Sequence, residues 1–286
     1  MIDPRQVGER LEAAEALDRV AAPAHRAVTR VLPKGAVKDV LHGVWLGHPL
    51  HPSLTDLPIG FWTSAFVLDV LGGRSGRRAA DTMVGLGVAA ALPTAAAGLA
   101  DWSELNTPER RSGLVHAAAN LAATGLYAMS LVARCRGRRA RGIVLSTAGA
   151  AAATVGGFLG GHLTFRRASG VNQTADVPSG QDWAKLTVEG TINASTPTLA
   201  DLDGTPLATV IVDDAPTALY DRCSHLGGPL HEGDVVDGCL RCPWHGSTFR
   251  AVDGAVVHGP ATAPQPAYEV RVDDDRRMAR RRQPAR

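Results

Sequence analysis

Four side chains capable of metal chemistry stand in two short clusters, Cys223-Ser224-His225-Leu226-Gly227-Gly228 and Cys242-Pro243-Trp244-His245-Gly246-Ser247. Each cluster offers one thiol and one imidazole, spaced C-x-H in the first and C-x-x-H in the second. Glycine and proline surround both, as tight turns require. Thiolates and neutral imidazoles are donors for borderline and soft transition metals. Two arrangements fit. One is a single tetrahedral zinc, although C-x-H is tighter than the zinc-finger spacing of about two to four intervening residues. The other sets two loops face to face, with two thiolates on one iron and two imidazoles on a second.

Residues 183–274 resemble the Rieske family in these clusters and in their order. The likeness extends to Gly233-Asp234, Gly259-Pro260-Ala261 and Tyr268-Glu269-Val270. It implies an all-β domain whose 2Fe-2S cluster is held by Cys223, His225, Cys242 and His245, with the two histidines at an exposed tip. Trp244, Gly246, Ser247 and Phe249 are expected around the cluster. Members of the cytochrome bc type join the two loops by a disulfide and place serine and tyrosine hydroxyls near sulfur. Here Gly228 and Trp244 stand at the disulfide positions, Ser247 matches the serine, and Phe249 replaces the tyrosine. Losing a hydroxyl that donates to sulfur disfavours the reduced state. The expected potential is therefore in the low-to-middle part of roughly −150 to +300 mV. The other cysteines, Cys135 and Cys239, make no disulfide framework, and Cys239 reads as a packed thiol on the strand entering the second cluster.

The elements that carry this site follow from a sharp shift in composition. The average over 286 residues, with net charge +2, mixes an Ala/Gly/Leu-rich first part with a later part of alternating Val, Thr and Leu. Four apolar segments, roughly 57–73, 82–100, 112–133 and 142–165, approach the ~20 residues needed to cross a bilayer. The first contains Asp69, and the last three carry no Asp, Glu, Lys or Arg. A soluble bundle would show charged stripes at helical spacing, and these segments show none. Gly156/Gly160 and Gly157/Gly161 form overlapping small-residue pairs suited to close helix contact. Through Gly47-His48-Pro49-Leu50-His51-Pro52 and Leu54-Thr55-Asp56-Leu57-Pro58-Ile59-Gly60, this part also resembles an uncharacterised bacterial family of four-helix membrane proteins.

The expected fold is thus multidomain: an all-α four-helix transmembrane bundle followed by an all-β Rieske iron–sulfur domain. Residues 1–45 read as an amphipathic helical segment interrupted at Pro23 and Pro33, and 46–166 as the membrane domain. Residues 167–182 read as a polar linker, 183–274 as the cluster domain, and 275–286 as a solvated basic tail. In a bacterial cell membrane, arginine-rich loops after the first and third spans favour those loops in the cytoplasm and the Rieske domain on the outer face. Lys34, Lys38, Arg166 and Arg167 on the outer side reduce that margin, so either side stays open.

His48, His51, His116 and His162 flank or enter the apolar segments, and His116, Asn120 and Thr124 form one stripe. Ionisable groups at such depth are functional candidates, here for haem b, another metal or a quinone. The plainer reading is that they cap helix ends. Together these features point to a membrane-anchored carrier of single electrons, with a redox protein or quinone as partner, the lipid bilayer as support and no nucleic acid. A redox sensor is a second reading, and a subunit of a quinone- or haem-linked oxidoreductase a third. With only 275–286 after the cluster domain, a self-contained Rieske oxygenase is not expected.

Overall fold

The computed structural model describes residues 6–178, 180, 182–273 and 276–282. The ends of the expected N-terminal segment and of the basic tail, with Ser179 of the linker, lie outside them. Two units separate: residues 1–33 with 50–169, and residues 34–49 with 170–286.

The first unit holds α1 (Val7–Glu12), α2 (Asp18–Val31), α4 (Leu50–Leu71), α5 (Arg77–Trp102), α6 (Thr107–Cys135) and α7 (Arg139–Gly161), while α3 (Ala36–His42) belongs to the second. A π-type turn, His162–Arg166, follows α7. Among the described residues four helices are long and apolar enough to cross a membrane. Even α4, the shortest at 22 residues, reaches about 33 Å against a hydrocarbon core of about 30 Å. The first span thus begins earlier than the expected 57, because Pro52 sits in the first turn of α4, where its missing N–H costs nothing. α6 opens on a capping box in which Asn106 accepts from the backbone of Glu109 and the Glu109 carboxylate accepts from the Asn106 N–H. Pro23 lies inside α2 and does not interrupt it; the break comes after Glu12 instead.

Aromatic stacking and charge lock the helices together. Trp62 of α4 stacks on Tyr127 of α6, ring centroids 4.1 Å apart and planes 5° from parallel. The contact needs Gly87, where a Cβ would fall 2.2 Å from the Trp62 ring. Of the two small-residue pairs on α7, Gly156 and Gly160 receive Asn120 and His116 of α6, whereas Gly157 has no neighbour within 4 Å of a built Cβ. At the other end Arg134, read from sequence as a loop charge, is in α6 and 1% exposed. It binds Asp69 of α4 and Asp81 of α5, the latter at 3.0 Å, and Arg139 of α7 binds the same two carboxylates. Asp69 is therefore the partner that lets the Arg134 guanidinium be buried. Arg134→Met should leave the buried Asp69 with Arg139 alone and destabilise the protein by about 3 kcal/mol, read as a lower midpoint of thermal unfolding in detergent.

In the second unit, β1 (Ala184–Val188), β2 (Thr198–Leu202), β3 (Thr205–Val212), β4 (Ala215–Tyr220), β9 (Ala267–Asp273) and β10 (Arg276–Arg281) close a six-stranded antiparallel barrel in the order β1-β10-β9-β4-β3-β2. A four-stranded sheet, β5 (Asp234–Val236), β6 (Cys239–Arg241), β7 (Thr248–Arg250) and β8 (Val256–His258), carries the second cluster. The expected order of helices then strands is what the chain has.

Residues 276–281 of the expected basic tail are not a solvated tail. They form the strand that closes the barrel, pairing Ala279 with Val270 and with Ala184. Ala279 faces the core, while Arg280 binds Glu269 at 2.8 Å and lies over the Trp183 ring. Closure removes a free sheet edge; Arg276 and Arg280 lie on the outer face with Met278, while Arg277 and Arg281 flank Ala279 on its own face.

Candidate iron–sulfur site

Both clusters fold into the same turn. In the first, the Cys223 N–H donates to the Gly228 carbonyl at 2.9 Å and the Gly227 N–H to the Cys223 carbonyl at 2.9 Å. In the second, the Cys242 N–H donates to the Ser247 carbonyl at 2.8 Å and the Gly246 N–H to the Cys242 carbonyl at 3.0 Å. The glycine four residues after each cysteine has φ of +79° and +84°, a conformation that only glycine adopts freely. The two frames match, and the histidine occupies the third position of one and the fourth of the other.

The frames face each other. The two thiols are in hydrogen-bond contact, and the His225 and His245 rings lie 5.1 Å apart at 85°. Cys223 and Cys242 are buried, whereas both histidines are half-buried, so the expected exposed tip is not exposed. A Cβ at Gly228 would lie 2.9 Å from the Cys242 sulfur and 3.0 Å from Trp244, so the two positions read as disulfide sites do meet, but as a glycine against an indole.

Electrostatics favour the ligand form at Cys242 and His225 and the protonated thiol at Cys223. The hydrogen bond from Cys223, the backbone N–H groups of Trp244 and His245 and the nearby Lys34 hold the Cys242 thiol down to about 7 against burial. Cys223, the proton holder of the pair, is raised by that same bond and by burial, while its sulfur receives the His225 N–H and the Ser247 hydroxyl. Burial first, then His245, His42 and Lys38, keep His225 neutral well below the usual imidazole value. Its Nδ1 is buried without a hydrogen-bond partner, a polar atom that a metal would satisfy. Among the described residues no three His, Cys, Asp or Glu side chains form a group able to hold one metal ion. Two sulfurs side by side and two imidazoles side by side are the pairing that donors shared between two irons would use. The residues present fit the second arrangement.

With that geometry in place, the comparisons decide the family. Residues 182–269 match the family described as the Rieske [2Fe-2S] domain. The second unit carries a Rieske domain. Residues 47–173 match the family described as a predicted membrane protein, DUF2231, so the chain joins the two. The anthranilate 1,2-dioxygenase ferredoxin subunit of Burkholderia cepacia is 38% identical over 69 residues, which are 24% of this chain and 64% of that one. The cytochrome b6-f complex iron-sulfur subunit 3 of a Nostoc species is 36% identical over 80 residues, 27% of this chain and 44% of that one. The chain thus spans less than two thirds of either relative. The ferredoxin of carbazole 1,9a-dioxygenase from Nocardioides aromaticivorans superposes on 35% of this chain and 98% of its own, at 25% identity and a TM-score of 0.32.

Around the Rieske loops, Ser247 is fully buried. Its Oγ accepts from the Ala261 N–H at 3.0 Å, which leaves the hydroxyl hydrogen for Cys223. Phe249 packs in the core beside both cysteines and brings no donor. Sequence reasoning missed Gln265, which is 2% exposed. Its side chain accepts from the Ser224 N–H at 2.9 Å and donates to the carbonyls of Tyr220 and Arg222, so it ties the first loop to the barrel. It also missed Asp221, whose carboxylate takes the His231 N–H and ring at 2.8 Å.

Of the four membrane histidines, the structure brings only two together. His51 and His116 have ring centroids 6.1 Å apart at 89°. Their Nδ1 atoms lie 2.9 Å from the Thr94 carbonyl and 2.8 Å from the Gly156 carbonyl. His162 departs from the expected set: it is buried against Glu12 at 2.8 Å, in a cluster that Arg167 completes. His48 departs too, since it is exposed and belongs to the other unit.

Ser247→Ala removes a donor to sulfur and should lower the one-electron midpoint potential. About 1.4 kcal/mol of hydrogen bonding corresponds to about 60 mV, measurable by redox titration with the iron content unchanged.

Proposed function

We propose that the chain is a membrane-anchored Rieske protein that carries single electrons between a donor and an acceptor. In this reading Cys223 and Cys242 hold one iron and His225 and His245 the other. The observation that carries it is the pair of matched loop frames with thiols against thiols and imidazoles against imidazoles. When bound, the cluster takes up and returns one electron at a time. The protein's part is to hold the four ligands on rigid strands, to exclude water with Phe249, Leu230 and Leu240, and to point N–H and O–H donors at the sulfurs. A low-to-middle potential is supported by Phe249 in place of a donor and by the absence of a cysteine at Gly228 and Trp244. The partner is a redox protein or a quinone; the ferredoxin subunit and the cytochrome-complex subunit among the relatives are by their names parts of larger redox systems.

Membrane anchoring is supported by the outward faces of the long helices. Phe66, Val70, Leu92, Leu121, Val144 and Phe158 are exposed there, an apolar surface that water would not tolerate on a monomer. The arginine-rich loops support the orientation with the Rieske domain on the outer face. Cys135 offers a native test, since it ends α6 and is the one exposed cysteine among the described residues. A membrane-impermeant maleimide should leave it unlabelled in intact cells and label it after lysis; labelling in intact cells reverses the orientation.

The cluster assignment is tested on detergent-purified protein. Iron and acid-labile sulfide in equal amounts are expected, with an EPR signal on reduction. Cys242→Ala should abolish both, and zinc in the wild type would refute the carrier reading.

A second reading has one observation in its favour. A carbonyl only accepts, so both His51 and His116 carry their proton on Nδ1, the usual anchoring of a metal-binding imidazole. His51 Nε2 is left as a ligand, while His116 Nε2 has the Asn120 amide N–H group 3.3 Å away, which a metal would displace. We propose this pair as a second redox site, for a haem b iron or a metal ion. A Soret band lost in both His51→Ala and His116→Ala is expected for haem. A wild-type protein with no Soret band and no metal beyond the cluster iron ends that reading.

A further inference from the structure

Residues 34–49 precede the long helices in the chain, yet they pack with the Rieske unit. What holds them is specific. Asp39 of α3 accepts the Gly259 N–H at 2.9 Å with Oδ1 and meets His258 Nδ1 at 2.9 Å with Oδ2. A Cβ at Gly259 would lie 3.0 Å from Val44 and 3.5 Å from the His42 ring, so this segment rests directly on the Gly259-Pro260 loop. At the second ligand loop, a Cβ at Gly246 would fall 2.7 Å from the Lys34 ammonium. Lys38 and His42 are only 4% and 3% exposed. A lysine so deeply buried is rare without a charged or polar reason.

Resting on the cluster reading above, we propose that residues 34–49 are a strap across the imidazole edge of the cluster. Asp39 latches it, and through Lys38 it raises the potential of the cluster it covers. Outer-sphere transfer falls steeply with distance, so with the strap in place electrons at the His225 edge pass through α3 or wait for it to open. Reduction would add one negative charge to the cluster. Positive charge carried by the strap, at Lys34 over the second ligand loop and at the buried Lys38, favours that state and opposes the effect of Phe249.

The test uses the full chain in detergent with the cluster loaded. Hydrogen exchange of residues 36–46, oxidation of the reduced cluster by ferricyanide and the midpoint potential are read on the same samples. Asp39→Ala loses two hydrogen bonds, which raises the open population by roughly tenfold, so exchange and oxidation should both quicken by about that factor. His258→Ala removes one arm of the latch from the other side and should act in the same direction more weakly. Lys38→Met should lower the potential with the exchange of 36–46 unchanged. The proposal is overturned if the wild-type segment exchanges as freely as an unfolded chain. It is equally overturned if its release leaves the oxidation rate unchanged, or if Lys38→Met leaves the potential in place. If the wild type lacks iron and sulfide, it is the cluster reading that has failed, and the exchange measurement still reports whether the strap is latched.

Discussion

In the proposed reading, two irons would each need two protein donors of one kind, thiolates for one and imidazoles for the other. The second unit is built to bring two such donor pairs together. It does so by using the same six-residue turn twice, closed in each case by the cysteine's own N–H and C=O and opened by a glycine with positive φ. Shifting the histidine by one position between frames is the difference between C-x-H and C-x-x-H. The two spacings are thus one geometry seen from its two ends. Turns of this kind are soft alone. Here the first is tied to the barrel by Gln265 and the second is continuous with β6 and β7, so neither can open without breaking a ladder or a buried amide network.

The first unit solves a different problem, how to hold four helices together where burial of apolar surface brings little. Its answers are close contact at Gly87 and Gly156, one stacked aromatic pair, and a four-charge cluster drawing one residue from each long helix. In a medium of low polarity such a cluster is costly to split, and so it fixes register as well as strength. It also changes how the arginines are counted. Arg134 and Arg139 are spoken for by Asp69 and Asp81, while Arg136, Arg138 and Arg141 remain at the surface.

What the sequence made legible is chemistry that depends on short spacing: the four donors, the glycines that turn the loops, the long apolar runs and the longer strands. What it hid depends on partners far away in the chain. The three-residue strands β5, β6 and β7 are too short to show alternation. The strand β10 is disguised as a charge run, because arginines stand on both its faces and only Ala279, between Arg277 and Arg281, is buried in the core. Asp39 is an ordinary helix acid until Gly259, 220 positions later, is placed beside it. His48 and His162 look like the other membrane histidines in composition and differ from them only in what the fold sets opposite.

The opposing influences on the cluster can be placed on one scale. A hydrogen bond withdrawn at Phe249 acts on sulfur, where the electron density of the reduced cluster is partly held. The charges of Lys34 and Lys38 act through space on the whole cluster, weakened by whatever water reaches it. Lys38 is buried, so its field is weakly screened, and it moves only if α3 moves. The donors at Ser247, His225, Trp244 and His245 belong to the loops and cannot be withdrawn without dismantling them. The potential therefore has a part set by the barrel and a part set by residues 34–49. The second is the one that a conformational change short of unfolding can alter.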